Sequence, residues 1–119
     1  MFTTIIKRDG REVPYDITKI ADAIAKAMKA SFREDNGESR RMAELVEAQL
    51  KERFGDKAPG VEDIQDIVEL VLMDNGYAMV SKKYIIYRAE RSRAREMKSN
   101  LMRIYNEITF ADAEDSDLK

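Results

Sequence analysis

Four cations crowd the start of the chain. In I-I-K-R-D-G-R-E-V-P-Y-D-I-T-K-I, residues 5–20, Lys7, Arg8 and Arg11 bracket one tight turn and Lys19 follows in the first turn of a helical pattern. A helix start is the positive end of the backbone dipole, so a cation is poorly placed there by itself. Asp9-Gly10 predicts a two-residue hairpin turn, which needs positive φ at both positions. In that register Arg8 faces Arg11, Lys7 faces Glu12 and Ile6 faces Val13. A like-charge cross-strand pair destabilises unless its side chains splay into water or share an anion. A phosphate would relieve the strain at both places, since helix N-termini and cations both favour it. Ile5, Ile20 and Ile64 offer an apolar wall beside it for a flat base. On pattern alone two readings stand: a phosphate site, or solvated surface charge above isoleucines that belong to the core.

Other chemistries are thinly represented. The 119 residues include no cysteine and no histidine, which removes disulfides, zinc ribbons, thiol nucleophiles and any Ser-His-Asp triad. Neither G-x-x-x-x-G-K-[ST] nor G-x-G-x-x-G occurs, so a P-loop or dinucleotide fingerprint is not expected. The many carboxylates form no convincing catalytic pair and read as solvating charge. A net charge of −2 gives no global attraction to nucleic acid or to a membrane surface. No apolar run is long enough to span a bilayer, and the N-terminus lacks a signal-peptide pattern. The expected location is the cytoplasm.

The elements that must position these cations follow from periodicity. Phe2 to Arg8 and Arg11 to Tyr15 read as the two strands of the hairpin, and Pro14, without an N–H, should end the second. Asp16 is a good N-cap for a helix with Ile17, Ile20, Ala21, Ile24, Ala27 and Met28 on one face. A loop around Asn36-Gly37 leads to a second helix, with Ser39 as its expected cap, Met42, Leu45, Val46, Leu50 and Phe54 inward, and Gly55 closing it. A third helix turns Ile64, Ile67, Val68, Val71 and Leu72 inward, with Glu62 and Asp63 in its first turn and Asn75-Gly76 at its end. A fourth begins near Ala78 with Val80, Tyr84 and Tyr87. Its pattern continues through Met97, Leu101, Ile104 and Ile108, either as one long helix or with a break near Ser99-Asn100. Residues 111–119 read as an acidic tail or linker. Charge is uneven: residues 82–103 carry eight bases and two acids, and the chain turns acidic from Glu107. The whole is an α+β, mainly α chain: an N-terminal β-hairpin lid over four helices, with a C-terminal helical extension.

K-R-D-G-R-E-V-P-Y-D-I-T-K-I, residues 7–20, resembles the N-terminal signature of the ATP-cone family. V-E-D-I-Q-D-I-V-E-L-V-L-M-D-N-G-Y, residues 61–77, is similar to the third helix of that family, and V-S-K-K-Y-I-I-Y-R-A-E-R, residues 80–91, to its fourth. The resemblance covers about residues 2–93. It implies a regulatory module that binds ATP or dATP and sets the overall activity of a ribonucleotide reductase, ATP activating and dATP inhibiting. N-L-M-R-I-Y-N-E-I-T-F-A-D-A-E-D-S-D-L-K, residues 100–119, resembles the segment joining the cone to the catalytic barrel of anaerobic, glycyl-radical (class III) ribonucleoside-triphosphate reductases. The sequence holds neither that barrel nor its catalytic cysteines. The implied organisation is a cone over residues 1–94 and a helical linker with acidic tail over 95–119, part of a larger oxidoreductase and not catalytic by itself.

By matched position, the resemblance puts Lys7, Arg8, Lys19 and Arg91 at the phosphates, with Arg88 one turn before Arg91 able to join them. It puts Ile5, Ile20 and Ile64 around the adenine, Gln65 near the base and Asp16 near the base or ribose. Val13 is apolar where aerobic relatives often carry a polar residue. Tyr87, with Lys82 and Lys83, would permit a second nucleotide. Arg11 has no matched role. Magnesium is implied only with the phosphates and not on protein ligands. The implied partners are the catalytic barrel and further copies of the chain in a nucleotide-dependent oligomer, with no membrane and no nucleic acid. The alternative is the ATP-cone part of a reductase-operon transcriptional repressor, whose family carries a cysteine-rich zinc ribbon before the cone. A ligand-free helical interaction module is the third possibility.

Overall fold

The computed structural model describes the backbone of residues 1–117 and the side chains of residues 1–109. Strands β1 (Thr4–Ile6) and β2 (Glu12–Pro14) pair antiparallel and are followed by α1 (Ile17–Ala30), α2 (Glu38–Phe54), α3 (Val61–Asp74) and α4 (Ala78–Asp117). The chain is mainly helical with an N-terminal hairpin, as its periodicity implies.

The hairpin register corrects the expected one. Ile5 pairs with Val13 and Ile6 with Glu12, one residue out of step with the predicted pairs. Lys7 then faces Arg11, whose carbonyl accepts the Lys7 N–H at 2.8 Å, and the loop is Arg8-Asp9-Gly10. The Gly10 N–H donates to the Lys7 carbonyl at 2.9 Å and Gly10 has φ +87°. Such a three-residue loop ends on a left-handed residue, a conformation glycine adopts without steric penalty. The Asp9 carboxylate stabilises the loop by accepting the Arg11 backbone N–H at 3.1 Å and Nε at 2.6 Å. Those two contacts hold the Asp9 carboxyl below its ordinary range. Arg11 is thus neutralised by its neighbour, and the expected Arg8–Arg11 pair does not form.

A two-stranded hairpin is marginal alone. Here β1 has a second flank. The Ile6 N–H donates to the Pro59 carbonyl at 2.9 Å, the Phe2 N–H donates to the Gly55 carbonyl at 2.8 Å, and Ile6 makes a parallel bridge to Gly60. The connector between α2 and α3 therefore serves β1 as a third strand would. Phe2 is buried and stacks edge-on against Tyr15 at 5.1 Å between centroids.

Asp16 caps α1, its carboxylate accepting the Thr18 N–H at 2.9 Å, and Ile20, Ala21, Ile24, Ala27 and Met28 are buried. The start of α2 departs from expectation. Gly37 stands at the N-cap position with φ +84° and offers no side chain, while Ser39 lies inside the first turn. Asp35 substitutes for a cap by accepting the Ser39 N–H at 3.0 Å and the Ser39 hydroxyl. The inward face of α2 is Ser39, Met42, Ala43, Val46 and Leu50, whereas Leu45 is 39% exposed because it lies to one side of that stripe. In α3 the five expected core residues are all buried. Val80 and Tyr84 of α4 close the core, and the buried Ser81 hydroxyl donates to the Glu69 carbonyl at 3.2 Å.

The helix α4 continues without a break through Ser99-Asn100. The backbone of the expected acidic tail is helical as far as Asp117. The side chains of residues 110–119 lie outside the described residues, as do residues 118 and 119 altogether. The chain divides into two compact units, residues 1–86 and residues 87–119. No helix among the described residues is long and apolar enough to cross a membrane.

Candidate functional site

Two helical faces and the hairpin meet around one cavity in the first unit. The start of α1 contributes Asp16, Lys19, Ile20 and Ala23, and α3 contributes Val61, Ile64, Gln65 and Val68. Both sets have the spacing i, i+3, i+4, i+7, which lines up one face of a helix. The hairpin adds Ile5, Pro14 and Tyr15, and Tyr84 of α4 completes the lining. The volume is about 190 Å³. Ile20 and Ile64 belong to the buried core and Ile5 packs against it, so the apolar wall is held rigidly.

Of the residues singled out in the sequence, Ile5, Asp16, Lys19, Ile20, Ile64 and Gln65 line this one cavity. Arg8 reaches its rim from the hairpin loop. One guanidinium nitrogen donates to Gln65 Oε1 at 3.2 Å and another pairs with the Glu62 carboxylate. Lys7 is exposed on the hairpin and does not line the cavity. Lys7 and Lys19 have no ion-pair partner among the described residues. Tyr87, Arg88 and Arg91 belong to the second unit, where the Arg91 guanidinium lies 5.8 Å from the Tyr87 ring centroid.

Pro14, Tyr15, Ala23, Val61, Val68 and Tyr84 are lining residues that sequence reading did not single out for the site. Helical arithmetic from Ile64 reaches Val61 and Val68, and from Ile20 reaches Ala23, so the signal for these three was present. Tyr15 had no such signal. Its hydroxyl donates to Glu47 on α2 at 2.8 Å. Burial first, and the Glu47 carboxylate second, push the Tyr15 phenol above its ordinary range and keep it a neutral donor.

A cavity walled by isoleucines, with an amide and a carboxylate at its edge and cations at its mouth, fits a flat heterocycle carrying anionic groups. The sequence profile of the ATP cone domain family matches residues 3–93. The chain belongs to the ATP-cone family.

This ATP cone is 39% identical over 103 residues to a vitamin B12-dependent ribonucleoside-diphosphate reductase of Thermoplasma acidophilum, across 82% of the chain and 13% of that relative. It is 38% identical over 102 residues to a ribonucleoside-diphosphate reductase subunit alpha of Chlamydia pneumoniae, across 79% of the chain and 10% of that protein. It is 34% identical over 97 residues to an anaerobic ribonucleoside-triphosphate reductase of Salmonella typhimurium, across 82% of the chain and 13% of that protein. The chain spans about one eighth or less of these relatives. Membership in the family implies nucleotide-sensing regulation.

Proposed function

We propose that this ATP cone binds ATP or dATP in the 190 Å³ cavity and passes the identity of the nucleotide to an anaerobic ribonucleoside-triphosphate reductase, ATP activating and dATP inhibiting. The convergence of Ile5, Ile20 and Ile64 with Asp16, Lys19 and Gln65 on one cavity carries the reading. Pockets for whole drug-sized ligands run to about 300–1,000 Å³. A space of this size suits a base alone and leaves sugar and phosphates at the mouth. Lys7, Arg8 and Lys19 would meet the phosphates there, with magnesium arriving on the phosphates. The resemblance also assigns Tyr87, Arg88 and Arg91 to nucleotide binding. The cone would span residues 1–94 and the linker toward a catalytic barrel residues 95–119. The relatives are reductases, which favours this reading over a repressor.

The two ligands differ only at the 2′-hydroxyl. One hydrogen bond contributes about 0.5–1.5 kcal/mol net, or about tenfold at most. Opposite regulatory outcomes therefore require an element with two arrangements, for which a nucleotide-dependent subunit contact is the simplest candidate. The test is calorimetric titration of Mg-ATP, Mg-dATP and adenosine into the chain and its Lys19→Ala and Lys7→Ala variants. Loss of a charge-assisted contact should weaken each triphosphate by about tenfold or more and leave adenosine unchanged. Triphosphate affinities indifferent to both substitutions would sink the phosphate assignment, and absence of adenosine binding would sink the base pocket.

A further inference from the structure

Tyr15 joins the hairpin to α1. It lies between Pro14, the end of β2, and the N-cap Asp16, and all three line the cavity proposed for the base. Tyr15 is held at three points. Its N–H donates to the Thr3 carbonyl at 3.0 Å. Its ring meets the buried Phe2 ring at 5.1 Å between centroids and 88° between planes. Its hydroxyl donates to Glu47 Oε2 on α2 at 2.8 Å. Phe2 is itself tied down, its N–H bound to the carbonyl of Gly55 at the end of α2. A phenylalanine would pack against Phe2 as well and would have no hydroxyl to satisfy, so the hydroxyl and its acceptor call for a role of their own.

Glu47 supplies that role from outside the cavity. The helix α2 contributes no lining residue, yet its Glu47 reaches one that does line it. The two carboxylate oxygens have different partners: Oε2 accepts the Tyr15 hydroxyl, and Oε1 lies 3.8 Å from Lys51 Nζ one turn further along α2. A carboxylate is an acceptor only. Steadied from its own helix, this one fixes the tip of the tyrosine while Phe2 fixes the ring and Thr3 the backbone. A side chain ordered before the ligand arrives spares the entropy of ordering it on binding. Aromatic side chains also hold nucleobases by stacking. We infer that Tyr15 is a base-binding wall of this cavity and that Glu47, which does not line it, is the positioning residue that holds Tyr15 in place from α2. The inference rests on the cavity taking the base, as proposed above.

Calorimetric titration of adenosine and Mg-ATP into the Tyr15→Phe, Glu47→Met and Glu47→Gln proteins, and into the double variant Tyr15→Phe/Glu47→Met, tests it. Tyr15→Phe keeps the ring and frees its tip, and should weaken both ligands about fivefold, the scale of ordering one side chain. Glu47→Met removes the acceptor and should weaken them as much. The double variant should lose no more than either single one, because both substitutions remove the same hydrogen bond. Glu47→Gln keeps an acceptor oxygen and should restore both affinities to within about twofold of the unsubstituted chain. A pair that serves the fold alone would lower the thermal unfolding temperature of the Phe and Met variants and leave both affinities unchanged, which would overturn the inference. Losses that add in the double variant, or a loss confined to Mg-ATP, would overturn it as well. Failure of the unsubstituted chain to bind adenosine is a separate result, which would remove the base pocket itself and this inference with it.

Discussion

Arg8 shows how one residue's neighbours decide what its charge can do. Its guanidinium engages Glu62 and Gln65 of α3, so a triphosphate arriving at the mouth must draw Arg8 from one carboxylate and tolerate another negative charge close by. Glu62→Gln should therefore tighten Mg-ATP by about fivefold, corresponding to the ~1 kcal/mol scale of a partly exposed ion pair. Adenosine, which carries no phosphate, should bind both proteins equally. Titration of the two ligands into both proteins checks this, and a gain shared by adenosine would place the effect in the base pocket instead. Gln65 is named only through the family resemblance, whereas the hairpin cations, Lys19 and the three isoleucines are legible in the sequence because residue spacing and local charge are local properties. The partners of Arg8 are not, because they lie 54 and 57 positions away and only the docking of the hairpin on α3 brings them close. Tyr15 is hidden for the same reason, its partner Glu47 being 32 positions on.

Helix starts and turns show where local rules compete. Asp16 behaves as an N-cap should, yet at α2 the expected cap, Ser39, sits inside the helix and donates its hydroxyl to Asp35. Both residues have the chemistry of a cap, and the left-handed Gly37 between them bends the chain so that Asp35 reaches back over the first turn. Sequence reading favours Ser39, since nothing local shows that Asp35 folds back over the turn. The hairpin erred similarly: Asp9-Gly10 suits a two-residue turn, but the paired Asp9 and Arg11 favour a three-residue loop. Asp35→Ala should lower stability by about 1 kcal/mol, the usual effect of losing a side-chain acceptor at a helix start. The Ser39 hydroxyl first, and its amide second, hold the Asp35 carboxyl below its ordinary 3.8. A depressed carboxyl stabilises the fold above its unfolded value and loses that contribution as pH falls through the folded one. The gap between wild type and Asp35→Ala in thermal unfolding should thus be full near neutrality and close as pH drops below about 4. A gap that persists in acid would mean that Asp35 acts by shape and not by charge.

At the scale of the molecule, the question is how much chain the proposed nucleotide site requires. Among the described residues, every buried apolar side chain, from Phe2 to Tyr84, lies within residues 1–86. That unit holds the hairpin, its flank at Pro59 and Gly60, and the whole lining of the cavity. Truncation after residue 86 should leave a cooperatively folding domain, since none of the buried apolar side chains among the described residues lies beyond it. Adenosine affinity should survive, because the cavity residues proposed to wall the base are all retained. The triphosphate separates the proposed cone boundary from the boundary of compact folding. If residues 87–94 contribute the phosphate contacts assigned to Arg88 and Arg91, the 1–94 fragment should bind Mg-ATP as the full chain does. The 1–86 fragment should then bind it at least tenfold more weakly, the scale of one or two charge-assisted hydrogen bonds lost, ~1.5–3 kcal/mol each. Parallel titrations of adenosine and Mg-ATP into both fragments decide among these outcomes. Equal Mg-ATP affinity in both fragments would confine the site to residues 1–86 and remove Tyr87, Arg88 and Arg91 from it.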